Sequence, residues 1–382
     1  MSYRSSRTRR AVASLALGAA VAAVAAGTAA AQAPKVVTGG LANPRGLTVG
    51  PDGALYVAEA GRGGSGRCLS APEGGGDACY GATGAITRVD VKTGRKQNVV
   101  SRLPSLAVQG DNAGADASGP HDVSFSGNVA YFTVGFGGDP RARARLGSVG
   151  RRFAALYRMD PSGRVRRVVD VGRYEARNDP DKGQPSATVD SNPYSVDATR
   201  PGQILVTDAG GNDLLGVTPG GRVRTLAVFP FGQTLAPPFL NQPPGTQIPY
   251  QPVPTGVARG ASGRIYIGQL TGFPFPAGGA NVYRVRGSGT PAVQARNFTT
   301  VVDVAFAPNG SLYVLQISSN GLTAQDPDPG KVFHIARNGR VTEVPSGALQ
   351  EPTGIAVGPG GAVFVTNRGG SGSVGQIVRL AS

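Results

Sequence analysis

Oxygen-bearing side chains recur at one kind of place in this chain. Glu59, Asp208, Gln269, Gln316 and Asn367 each close a short apolar run, and Val134 holds the sixth matching position. Gathered around an axis, such residues would form a polar ring for a ligand. Left in their own turns, each would accept backbone N–H groups as a cap. A second set leads the apolar runs: Arg45, His121, Tyr194, Thr255, Val302 and Thr353. Arg45, His121 and Tyr194 are the candidates there for ligand contact, and His121 is the one candidate base. Neighbouring residues on a strand face opposite sides, so Asp122 is not expected to orient His121. Asn192, Asp208, Asn212 and Asp213 could build an oxygen-rich site for calcium or another divalent cation, with Asp208 and Asn212 as its metal ligands. The runs GFGGDP (135–140), DAGGNDLL (208–215) and QLTGFPFP (269–276) set Phe136, Phe273 and Phe275 beside these acids and amides. Such a surface suits a sugar, a lactone or a planar aromatic molecule. Phe273-Pro274-Phe275-Pro276 could equally pack its own loop down. The other histidine, His334, lies in the apolar run KVFHIA and reads as packed.

A repeat must position these residues. Six segments share a Pro or Val start, a Gly, Asp or Ser two residues on, alternating apolar residues, a Gly-containing turn and a second apolar run. They begin near 44, 120, 193, 254, 301 and 352, so their spacings are 76, 73, 61, 47 and 51. Third and fourth runs follow, as in ALYRMDPSGRVRRVVDV and KVFHIARNGRVTEV. Four strands repeated at this period predict an all-β, six-bladed β-propeller. The last unit, ending in GQIVRLAS, lacks a fourth strand. KVVTGGL from Lys35 can supply that outer strand and close the ring, which also removes two open edges. One domain over 34–382 is expected. The Pro-rich stretch 229–254 shows no strand pattern and reads as an insertion folded over one face, as a lid would be.

Composition agrees. The chain of 382 residues holds 59 Gly and 30 Pro, yet 40% of it is hydrophobic. This excludes a helical bundle and simple disorder. Residues 1–31 carry Arg4, Arg7, Arg9 and Arg10, an Ala/Val/Leu stretch and a small-residue site, the pattern of a secretory signal peptide cut after Ala31. Arg9-Arg10 also allows twin-arginine export, although only the arginine pair matches it. No membrane span is expected after cleavage. Net charge is +15, and four of those charges fall in the leader, leaving about +11. In an exported protein that excess suits an anionic envelope polymer rather than nucleic acid, and no aromatic ladder accompanies it. The densest cluster, RARARLGSVGRR, reads as a solvated loop. Cys68 and Cys79, the only cysteines, share a Gly-rich loop and are expected to form one local disulfide. No G-x-S-x-G elbow, H-E-x-x-H, P-loop or EF-hand loop is present, and GFGGD reads as a turn with no helix after it.

GPHDV, VDSNPY, DAGGNDLL, VFP, QLTGFPFP and EPTGIAVGPGGA resemble the ScyD/ScyE family across the whole mature chain. More broadly, the repeats are similar to NHL-type and gluconolactonase-like propellers. The resemblance implies a secreted six-bladed propeller. A monomer is expected, with its site at the channel mouth for a small molecule, a glycan or an anionic envelope polymer. The gluconolactonase likeness implies an alternative, a lactonase with a divalent cation held by Glu, two Asn and Asp. Glu59 matches that Glu, but His121 and Tyr194 stand where the family places Asn. A lyase or oxidoreductase using His121 as base is the third class.

Overall fold

The computed structural model describes residues 33–70, 76–109, 114, 116–324 and 327–381; the leader expected over 1–31 lies outside them. Each repeat folds into one antiparallel sheet. Blade 1 is Pro44–Val49, Leu55–Glu59, Asp77–Val89 and Lys96–Val108, and blade 2 is Pro120–Ser126, Val129–Val134, Ala155–Met159 and Val165–Asp170. Blade 3 is Pro193–Asp197, Ile204–Asp208, Asp213–Val217 and Val223–Val228, and blade 4 is Pro254–Arg259, Ile265–Gln269, Ala280–Val285 and Ala292–Phe298. Blade 5 is Val301–Phe306, Leu312–Gln316, Gly330–Ile335 and Val341–Leu349. Blade 6 takes Gly354–Val357, Val363–Asn367 and Gly375–Arg379, and its outer strand is Lys35–Leu41. The ring closes as the repeat pattern predicts. Period-two alternation makes these segments strands. The first hairpins of blades 1 and 5 turn at Gly53 and Gly310, whose φ values of 76° and 83° suit glycine.

The core is divided among the blade interfaces. Leu205, Phe229, Val257 and Ile267 fill the space between blades 3 and 4. Val332, Leu349, Val365 and Val378 do so between blades 5 and 6. Each such side chain contributes about 1.5–3 kcal/mol on burial.

Every innermost strand turns one edge toward the axis, where its N–H groups need acceptors. In blades 3, 4 and 6, side chains of the preceding blade supply some of them. Asp122 Oδ2 accepts from Val196 N–H at 2.9 Å and from the Ser195 hydroxyl at 2.6 Å. Ser195 Oγ accepts from Val257 N–H at 3.2 Å, and Asp303 Oδ2 from Ile355 N–H at 2.8 Å. Gly46 and Gly256 sit where a side chain would collide with Asp122 and Asp303 respectively. This explains the Gly/Asp choice at the third position of each repeat. Hydroxyls complete the stitching: Thr133 donates to Tyr194 O at 2.8 Å, and Thr353 donates to Pro44 O at 2.6 Å across the closure.

Three sequence expectations need correction. The stretch 229–254 contains a two-stranded hairpin, Gly232–Leu235 with Gln247–Tyr250. Its four-residue strands are too short, and too interrupted by proline, to show a period. The arginine cluster is a 3-10 helical segment, Pro140–Arg152, capped by Asp139, so helical structure does follow GFGGD. Arg143 within it pairs with Asp170 at 2.9 Å. The cysteines do not sit in an irregular loop. Cys68–Ser70 pairs with the extended third strand of blade 1, and Cys68 and Cys79 are bonded directly across that ladder.

Candidate functional site

The second strands end on the upper face, where the innermost strands begin. Their oxygen-bearing residues turn into their own blades. Glu59 accepts from Ala42 N–H at 2.6 Å and from the Thr87 hydroxyl. Gln316 accepts from Thr299 N–H at 2.9 Å, and Asn367 from Gln350 N–H at 2.8 Å. Gln269 accepts from the backbone and side chain of Asn281 at 3.1 and 2.8 Å. Asp208 accepts from Asn192 N–H at 2.5 Å, Ser191 Oγ at 2.7 Å and Gly211 N–H at 3.3 Å. These atoms fix the segments that flank the strands and are occupied.

The leading residues of blades 1 to 3 do converge. His121 is 4% exposed, and its ring centre lies 5.2 Å from that of Tyr194. Arg45 Nη2 donates to Ala117 O at 3.0 Å. His121 Nδ1 and Arg45 Nε are buried with no hydrogen-bond partner. Burial, and then the charge of Arg45, lower the His121 pKa to about 3, against a backbone hydrogen bond to Pro193 that acts to raise it. The imidazole is therefore neutral at ordinary pH, with a free nitrogen. Glycine at 135 is required, because a side chain there would strike both His121 and Asn192. Tyr194 packs against the cluster that holds Val302 and Ile355. Burial raises its pKa, and the charges of Asp303 and Asp122 act in the same direction. Thr255, Val302 and Thr353 are buried, and the two threonines serve as blade staples. Beneath lies a channel cavity of about 250 Å³, lined by Asp122, Asp303, Val257, Ile355 and Arg259 among others.

A separate nest of acids surrounds the top loop of blade 3. Asp208, Asn212 and Asp213 come from that loop, as expected. The sequence reading missed Glu175, on the helix Val171–Asn178, and Asp179, Asp181 and Asp190 beyond it. Eight of the chain's 23 acids fall between Asp170 and Asp213, a density that could have flagged the region. Glu175, Asp181, Asp208 and Asp213 are each 1–2% exposed. Glu175 Oε1, Asp181 Oδ1 and Asp213 Oδ1 have no hydrogen-bond partner. Burial raises the Glu175 pKa to about 9, with the charges of Asp208 and Asp181 adding to it. Asp213 is raised well above the ordinary range for the same two kinds of reason. Asn212 is committed: its amide donates to Asp181 Oδ2 at 2.8 Å, and its Oδ1 accepts from Val253 N–H at 3.1 Å. The two residues expected to ligate a metal, Asp208 and Asn212, thus support the nest with atoms already in use.

The expected aromatics do not share one site. Phe136 is buried against Phe153. Phe273 is 46% exposed and meets Phe239 of the 229–254 insertion at 6.1 Å, while Phe275 is half-buried beside it. His334 packs against Tyr313 at 5.1 Å.

No family model and no curated protein matches this chain. Solved structures do. A glucose dehydrogenase-type oxidoreductase of Thermus thermophilus covers 91% of this chain and 99% of its own, at 17% identity and TM-score 0.53. The PQQ-bound aldose sugar dehydrogenase of Streptomyces coelicolor covers 91% and 97%, at 16% identity and TM-score 0.51. A gluconolactonase of Xanthomonas campestris covers 91% and 89%, at 12% identity and TM-score 0.51. At these identities the likeness shows the six-bladed propeller and nothing of the chemistry.

Proposed function

We propose that this chain is a ligand-binding propeller of the cell exterior, of the ScyD/ScyE type, with its site at the upper channel mouth. One observation carries the reading: Arg45, His121 and Tyr194 meet there, and two buried nitrogens are left without partners. Unpaired buried polar groups are costly unless a bound molecule completes them. Arg45 offers a donor to an anionic or hydroxylated ligand, and neutral His121 offers an acceptor for a hydroxyl. The tyrosine ring supplies the flat apolar wall. A small sugar acid or related hydroxylated acid fits these three groups. The Cys68–Cys79 disulfide agrees with an oxidising compartment, and no helix among the described residues is long and apolar enough to cross a membrane.

Calorimetric titration against sugar acids, aldonolactones and short glycans tests the reading. Binding by the native protein that is lost in Arg45→Ala supports it. A panel that binds equally to both proteins, or to neither, overturns it. Hydrolysis of a lactone in the same panel would favour the lactonase reading instead.

A further inference from the structure

We infer that Glu175, Asp179 and Asp181 hold a divalent cation of the hard, oxygen-seeking class, calcium above all, where the segment between blades 2 and 3 meets the top loop of blade 3. The inference is independent of any ligand at the channel mouth. One oxygen from each of the three carboxylates lies within 4.8 Å of the others. That is the span of a shell whose members each stand about 2.4 Å from one central ion. The second observation is the state of these carboxylates. Glu175 is 2% exposed and Asp181 1% exposed, yet Glu175 Oε1 and Asp181 Oδ1 meet no donor. A buried carboxylate left this way is strongly unfavourable unless it is protonated or faces a cation. Among the described residues no Lys or Arg forms an ion pair with Glu175, Asp181, Asp208 or Asp213. Asp213 stands on the blade side with its own orphaned oxygen, within reach of the charges of Asp208 and Glu175.

The surroundings look built for this purpose. Gly211 lets the loop pass close to this acid, since a side chain on it would come within 2.9 Å of Glu175 Oε2. Asp181 is held through its other oxygen by Asn212, so one oxygen is fixed and one is free. The donor set is all carboxylate, without His or Cys, and so favours calcium, magnesium or manganese over softer metals. Irregular buried oxygens suit calcium, which accepts six to eight ligands in flexible geometry, better than magnesium. The cation would also tie the insertions together. Asn212 reaches Gln251 at 3.2 Å and accepts from Val253, both in the 229–254 segment. Occupancy at Glu175 and Asp181 would therefore order that segment over the upper face.

The test strips the full mature chain with EDTA, dialyses it, and titrates calcium, magnesium and manganese separately by calorimetry. Thermal melts run beside each titration. One calcium per chain, bound at about 1 mM or tighter and raising the melting temperature, is the expected result. Glu175→Gln with Asp181→Asn should weaken binding by about tenfold or more. The same double variant, when cation-free, should melt no lower than the cation-free native chain, because its amides need neither a proton nor a cation to be buried; this also shows that it folds. No binding of any of the three ions at about 1 mM overturns the inference, as does unchanged affinity in the double variant. Protease cleavage within 229–254 that slows on adding calcium to the native chain, and not to the variant, supports the bridging role. Equal cleavage in all four conditions overturns that role.

Discussion

Two sets of buried acids stand in this propeller, and they differ in what their oxygens touch. Asp122 and Asp303 line the channel, and burial raises both pKa values, Asp122 to about 6. Yet every one of their oxygens accepts a hydrogen bond, from Val123, Ser195 and Val196 for the first and Val304 and Ile355 for the second. Glu175, Asp181 and Asp213 are 1–2% exposed, deeper than the half-buried Asp122 and Asp303, and each keeps one oxygen without a donor. A raised pKa therefore does not separate the two sets. The unmet oxygen does.

The largest effect expected from that contrast is at the axis. Asp122→Ala leaves the N–H groups of Val123 and Val196 and the Ser195 hydroxyl without their acceptor. A loss of roughly 3–5 kcal/mol should follow in urea unfolding. The loss should be the same with calcium and with EDTA. A loss that grew on chelation would mean that the two sets act as one.

A smaller effect concerns pH. The Asp122 pKa is about 6 in the folded chain, against 3.8 ordinarily. The fold thus binds its proton more tightly than the unfolded chain does, and stability falls as pH rises from about 4 to about 6. Asp122→Asn should make this decline shallower by the same amount with and without EDTA, as read from unfolding midpoints across that window. A decline that steepened in EDTA would place the added part at the blade 3 nest, whose acids are also raised. The least effect is expected from an acid that is paired but exposed. Arg88 Nε meets Asp52 Oδ2 at 2.6 Å, with side chains 34% and 38% exposed. Arg88→Ala should cost less than about 1 kcal/mol, and less still at high salt.

The fold was legible because each blade states itself locally. A Pro or Val start, a Gly, Asp or Ser two residues later, and period-two alternation recur six times, and Lys35–Leu41 supplies the strand that blade 6 lacks. Arg45, His121 and Tyr194 were legible for the same reason, since equal positions in equal repeats must meet at the axis. Glu175 and Asp181 were not. They lie on a helix and loop between repeats, where no period assigns a direction, and acids in a polar segment read as solvated. Only packing against Gly211 and Asn212 brings them under cover. The short hairpin in 229–254 was hidden by prolines, and the 3-10 segment after Asp139 by its glycines.

The pairing of Lys35–Leu41 with Gly375–Arg379 sets an order of events. Asn43 and Gly372 bond across this seam although they stand 329 positions apart in the chain. No shorter piece of the chain can finish the ring, so a polypeptide still being delivered holds its blades as an open arc. Contacts between such distant residues make closure slow. Until the last strand arrives, the sheet at each end of the arc offers unpaired backbone to any neighbour. The seam thus delays closure of the ring until Gly375–Arg379 is present.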